Sequence, residues 1–288
     1  MTLQQLFDDF YRPLRLRGRS PQTCRLYENT IRNFGRFLGR PATLSDLEDL
    51  ALSRYVEART SQVSPFTAEK ERSQLMALAR LAWERRLIDV LPNCPPGVLP
   101  QRVPKAWTVD EIKRLHQAAA ETKGQVGGIS AGVWWPALFH LCWESGERIG
   151  AIMQAKWQDL SRPHLLLPAE SRKGGRRDRI HVLTDRTCDR LEMAHKTGRD
   201  ELLWWPGDRL YIYKSLHRIL KRAGLDGKRV AFHQLRRTGA SHLAAAGGDA
   251  TAFLDHASPR TTQRWYLDPR MTQRGPRPCD LLPRIDEA

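Results

Sequence analysis

The stretch LPNCPPGVLPQRVPK, residues 91–105, limits what this chain can fold into more than any other. Five prolines in fifteen residues remove five backbone donors. Each ring also clashes with the preceding turn of a helix. The segment is therefore expected to be an extended linker. Folded structure must lie on either side of it, over residues 1–90 and 106–268. Four further prolines and mixed charges follow from residue 269 to 288, predicting an irregular C-terminal tail.

The first ninety residues carry the helical period. Leu3, Leu6, Phe7, Phe10 and Tyr11 recur at three- and four-residue spacing. Ser20 followed by Pro21 marks a second helix, with Tyr27, Ile31, Phe34 and Leu38 on its apolar face. Ser45 is expected to cap a third helix carrying Leu47, Leu50 and Tyr55. SPFT at 64–67 repeats the Ser-Pro start and opens a fourth helix running toward Trp83. Together these predict a small all-α bundle.

After the prolines, Thr108 answered by Glu111 in TVDE forms a capping box. The region it opens is mixed. Helices are predicted at about 109–121, 133–144, 148–156, 186–196, 211–223, 232–246 and 258–266. HLLLPAE (164–170) and RIHVLT (179–184) read as two strands, with SRKGGRRD between them as a hairpin turn. The fold class is thus mainly α with a small antiparallel β-sheet in an α+β second domain.

Charge then narrows the function. The formal net charge is +15. The excess sits in LRLRGR (14–19), SRKGGRRDR (171–179) and KRAGLDGKR (221–229). Clusters of this kind suit a polyanion, and double-stranded DNA is the expected partner. The five cysteines are scattered and include no C-x-x-C pair, so neither a disulfide framework nor a zinc site is expected. No apolar run is long enough to span a membrane, and the N-terminus lacks the order of a secretion signal. A cytoplasmic location is expected.

Four islands carry candidate chemistry. In ESGERIGAIMQAKWQDL (144–160), Arg148 stands at the mouth of a helix, well placed for a phosphate. Lys173 lies in the hairpin turn, where a lysine can reach a leaving oxygen. In FHQLRRTGASHL (232–243), His233 and Arg236 are three apart and share a helix face. In DHASPRTTQRWYLDP (255–269), His256 leads and Tyr266 closes, beside Trp265. Each island alone has an ordinary structural explanation: a surface arginine, a solvated turn, a polar helix start, a core tyrosine.

Their order changes that. Arg, Lys, His-x-x-Arg, His and Tyr over about 120 residues resembles the tyrosine recombinase (phage integrase) family. SGERI resembles its first arginine box, HQLRRT its His-x-Leu-Arg-His-Thr box, and DHASPRTTQRWY its closing box. The resemblance implies a helical core-binding domain over 1–90 and a catalytic domain over 106–268. It implies that Arg148 and Arg236 clamp one phosphodiester, and that Tyr266 attacks it to leave a 3′-phosphotyrosine. Lys173 would protonate the 5′ leaving oxygen, with His233 and His256 assisting. It implies no cofactor and no metal, and four protomers acting on paired DNA sites, each a monomer when free. A silent DNA-binding relative and a type IB topoisomerase-like enzyme are the alternatives. Three positions depart from the family pattern. Ala151 stands where an acid follows the first arginine, Asp255 replaces a glycine before the histidine, and Tyr266 is the tenth residue after His256 rather than the ninth.

Overall fold

The computed structural model describes residues 1–172, 177–225 and 232–272. The chain divides into two compact units, Met1–Gln101 and Arg102–Ala288.

The first unit is all helical. Its start runs through three short pieces, Leu3–Leu6, the π-helical Phe7–Tyr11, and Arg12–Arg15. The long helices Pro21–Leu38, Asp49–Gln62 and Pro65–Glu84 follow. Pro21 and Pro65 occupy the first helical turn, where a missing N–H costs nothing. The Ser64 hydroxyl caps the last of these by accepting from the Thr67 amide at 3.2 Å. Ser45 does not cap the third helix. It sits inside a 3₁₀ turn, Leu44–Asp46, whose capping residue is Thr43, and the helix begins only at Asp49. Leu50 faces solvent, 65% exposed, because it lies across the helix from the buried Leu52 and Tyr55.

Apolar side chains from all these helices form one core, with Phe34 against Tyr55 at 5.1 Å between ring centres. Against it lies a buried acid, Glu71. Tyr55 and Arg59 donate to it at 2.6 and 2.7 Å, and Asn33 at 3.2 Å, so its charge is fully compensated. The proline-rich segment is extended, and its first residues are anchored to this unit. The Asn93 amide donates to Asp49, the Arg72 guanidinium to the Cys94 carbonyl, and Cys94 is buried.

The second unit is built around the helix Ala131–Ser145. It is apolar on nearly every side, as a helix surrounded by protein must be. Trp134, Trp135, Leu138 and Phe139 are almost wholly buried. Around it pack the helices Val109–Ala120, Asp185–Ala194 and Phe232–Ala245, and Arg209–Arg222 packs on Val109–Ala120. The Thr108–Glu111 capping box is formed in both directions, at 3.2 and 2.8 Å. Strands His164–Leu167 and Arg179–Val182 pair antiparallel, with Leu167 opposite Arg179. A short strand, Leu160–Ser161, completes a three-stranded sheet, and Gln125–Val126 and Ile129–Ser130 make a second small hairpin. The predicted fold class, mainly α with small antiparallel sheets, is the observed one.

Two local differences bear on the site. The helix expected over 148–156 covers only Ile149–Ile152, so Arg148 meets four residues of helix and little dipole. A further helix, Ala250–Leu254, precedes His256. Trp135 stacks on Phe232 at 6.3 Å, which ties the central helix to the helix carrying His233 and Arg236.

Candidate active site

The helix Phe232–Ala245 places His233 and Arg236 one turn apart. Arg236 is buried at 2% exposure, among the largest fully buried side chains. A guanidinium that deep must be saturated with acceptors. Its two terminal nitrogens donate to the Gly146 and Leu254 carbonyls, and its Nε is buried with no partner among the described residues. Gly146 can present that carbonyl because it ends the central helix in the left-handed region at φ 60°, and a Cβ there would lie 2.4 Å from the Phe253 ring. Burial, and secondarily the charge of Arg148, lower the Arg236 pKa to about 10, so it stays cationic at neutral pH.

Tyr266 sits at the end of the helix Pro259–Trp265 as its C-terminal cap, with φ −123° and ψ −37°. That departure from helical geometry carries its ring inward. Tyr266 is buried, at 7% exposure, while Trp265 keeps 37% and lies under Arg264. Two imidazoles meet the tyrosine ring edge to face, His256 at 4.5 Å and His233 at 4.9 Å between centres. The Arg236 guanidinium lies 5.8 Å from its centre. The ring also packs with Ala240, Ala250 and Leu254, so Tyr266 is core and site together.

The histidines are tuned alike. Burial first, then the charges of Arg237, Arg236 and Arg148, lower His233 to about 4. Burial, then Arg236 and Arg148, lower His256 to about 4, against a partial opposing pull from Asp255. Both are neutral at pH 7. His256 Nδ1 is 3.0 Å from the buried Thr262 hydroxyl, which fixes its ring and leaves Nε2 without a partner among the described residues.

Beneath these groups lies an ion-pair cluster. Glu147, 3% exposed, receives Arg172 Nε at 3.0 Å and Arg179 at 3.1 Å, with His181 at 3.5 Å. Burial raises its pKa, but His181, Arg172 and Arg179 outweigh that and hold it at about 2. An acid thus supports the site although position 151 is alanine. Asp255 accepts from Arg172 at 2.7 Å and from Arg177 at 3.0 Å. Its backbone is left-handed, φ 49°, a conformation that glycine adopts freely and that Asp tolerates better than most residues.

A last set of bonds holds the beginning of the second unit to its end. The Ala106 amide donates to Asp268 at 2.8 Å, and the Asp268 amide donates to Ser241 Oγ at 3.0 Å. That hydroxyl in turn shares its single proton between the Arg237 carbonyl at 3.0 Å and the Tyr266 carbonyl at 3.1 Å. The Lys105 carbonyl accepts from Gln234.

Of the six residues singled out from the sequence, Arg148, His233, Arg236, His256 and Tyr266 converge. Lys173 lies outside the described residues. Sequence reasoning missed Arg172, Arg179, His181 and Thr262. Only Arg179 and His181 left a signal, the two-residue alternation that sends both to one side of their strand.

The Phage integrase family model matches residues 105–273, more than half of the chain. The tyrosine recombinase XerD of Rhizobium meliloti is 25% identical over 268 residues, covering 86% of this chain and 85% of its own. The fold is similar to that of a lambda integrase fragment solved as a dimer bound to a COC′ core site, with TM-score 0.75, 20% identity, and coverage of 96% and 99%. It is also similar to lambda integrase solved as a tetramer on a Holliday junction, with TM-score 0.70, 22% identity, and coverage of 90% and 78%. The chain belongs to the phage integrase family and is a tyrosine recombinase.

Proposed function

We propose that this protein cleaves and rejoins double-stranded DNA at specific sites, with Tyr266 as nucleophile. One observation carries the reading: a buried tyrosine held between two neutral histidines beside a buried arginine that stays charged at neutral pH. Tyr266 Oη attacks the phosphorus, the bond to the 5′ oxygen breaks, and that oxygen leaves as a hydroxyl. The DNA keeps its 3′ phosphate on the tyrosine, so the bond energy is retained and a second 5′ hydroxyl reverses the step without a nucleotide cofactor or a metal.

The groups divide the work. Arg148 and Arg236 neutralise the non-bridging oxygens as charge builds. Arg236 has Nε–H and one N–H on each terminal nitrogen left after its two carbonyls are served. His256, neutral and accepting from Thr262 at Nδ1, donates Nε2–H to a phosphate oxygen. His233 takes the tyrosine proton or orients the phosphate. Lys173 protonates the leaving oxygen, a role that rests on the family pattern. Residues 1–90 contribute DNA contacts as the core-binding domain, 91–105 link it to the catalytic domain over 106–268, and the tail 269–288 serves assembly. Four copies act on two DNA sites, each a monomer when free. The net charge of +15 supports the DNA reading. No helix among the described residues is long and apolar enough to cross a membrane, which agrees with action on DNA in the cytoplasm.

The test is covalent trapping on a nicked suicide duplex carrying the sequence that flanks the gene. Wild-type protein and Trp265→Phe should give an adduct that survives SDS, and Tyr266→Phe should give none. Salt-sensitive binding without an adduct would identify a silent relative. Relaxation of any supercoiled plasmid would point to a topoisomerase.

A further inference from the structure

Two acids stand directly before two phosphate-facing residues. Glu147 precedes Arg148, and Asp255 precedes His256. One guanidinium joins them. Arg172, 6% exposed, gives its Nε to Glu147 at 3.0 Å and a terminal nitrogen to Asp255 at 2.7 Å. Arg148 and His256 therefore hang from opposite ends of a short chain, Glu147–Arg172–Asp255, buried at Glu147 and Arg172 and partly exposed at Asp255. The two ends are not equally secured. Glu147 keeps Arg179 and His181 as partners whatever Arg172 does. Among the described residues Asp255 has one other ion-pair partner, Arg177, whose side chain is 79% exposed. The spacing between the two ends thus depends on the Asp255 carboxylate. A side chain that occupies a left-handed position where glycine would be unstrained calls for a function of its own.

We propose that Asp255 is a positioning residue, whose carboxylate acts through Arg172 to fix His256 relative to Arg148 on the scissile phosphate. The inference rests on the reading of His256 and Arg148 as phosphate ligands.

Asparagine at 255 keeps the left-handed backbone and removes the charge. Glycine relieves the backbone and removes the side chain. In single-turnover trapping with the full chain, Asp255→Asn and Asp255→Gly should both slow adduct formation, by about tenfold to a hundredfold, since small misplacements of reacting groups cost that much. DNA affinity should change little, and the melting temperature should fall less than in Glu147→Gln because Arg172 keeps Glu147 as a partner. In a His256→Ala background, Asp255→Asn should add almost nothing. Independently of activity, the ¹⁵N imidazole signals of His256 in the DNA-free protein should shift in Asp255→Asn while those of His242 do not.

Asp255→Gly cleaving at the wild-type rate would overturn the proposal, because the backbone alone would then suffice. An undiminished loss in the His256→Ala background would overturn it too, because the carboxylate would then act elsewhere. A wild-type chain that forms no adduct would sink the strand-cleavage reading, and the imidazole signals would then decide this inference alone.

Discussion

At the scale of single residues, the site is a balance between buried charges of both signs. Arg236 remains charged in the interior because two carbonyls accept from it, and Glu147 because two arginines donate to it. Removing one partner of such a set leaves the others uncompensated. Glu147→Gln would strand Arg172 and Arg179, and is expected to destabilise the second unit by about 3–5 kcal/mol. Thermal unfolding measures this, and an unchanged melting temperature would count against it. Arg148, His233, Arg236, His256 and Tyr266 were legible because the family pattern names residue types at fixed spacings. Arg172 was not. Its partners lie 25 and 83 residues away, and ion pairs across such separations leave no period in a sequence.

At the scale of elements, most helix starts and ends fall close to where they were read, the clear misses being the end of Ile149–Ile152 and the start at Asp49. Thr108 and Ser64 announced their helices through side-chain caps, which are local chemistry. The end of Ile149–Ile152 and the late start at Asp49 are set by packing against distant segments, which no local signal records. The same limit governed the tyrosine. One extra residue after His256 would turn a helical side chain by about 100°. The structure accommodates it because the helix stops at Trp265 and Tyr266 takes a non-helical backbone. Position 265 therefore faces outward, and exchanging the pair, Trp265→Tyr with Tyr266→Trp, should yield no covalent adduct. An adduct on the exchanged protein would show that the helix end can rewind.

At the scale of the whole molecule, four histidines share one depression. Burial first, then neighbouring positive charge, sets His116, His140, His233 and His256 at about 4 against an ordinary 6.5. For His116 the partner imidazole, His140, adds to the effect at 4.7 Å. Unfolding restores the ordinary value, so between pH 6.5 and 4 the unfolded chain binds protons that the folded one does not. Their contribution to stability is complete above 6.5 and falls away as pH drops toward 4. That of Glu147 is complete above its ordinary 4.5 and is lost only as pH falls through 2. Melting temperature should decline across the histidine window, and a flat profile there would refute the assignment.

The bonds that run from Ala106 through Asp268 and Ser241 to Tyr266 have a mechanical consequence. Tension on the backbone where it enters at Lys105 is carried to the tyrosine by a carboxylate and a hydroxyl, without passing through the packed aromatic interior. The incoming chain and the main chain at Tyr266 are thereby joined in series, like a bowstring tied to its own anchor.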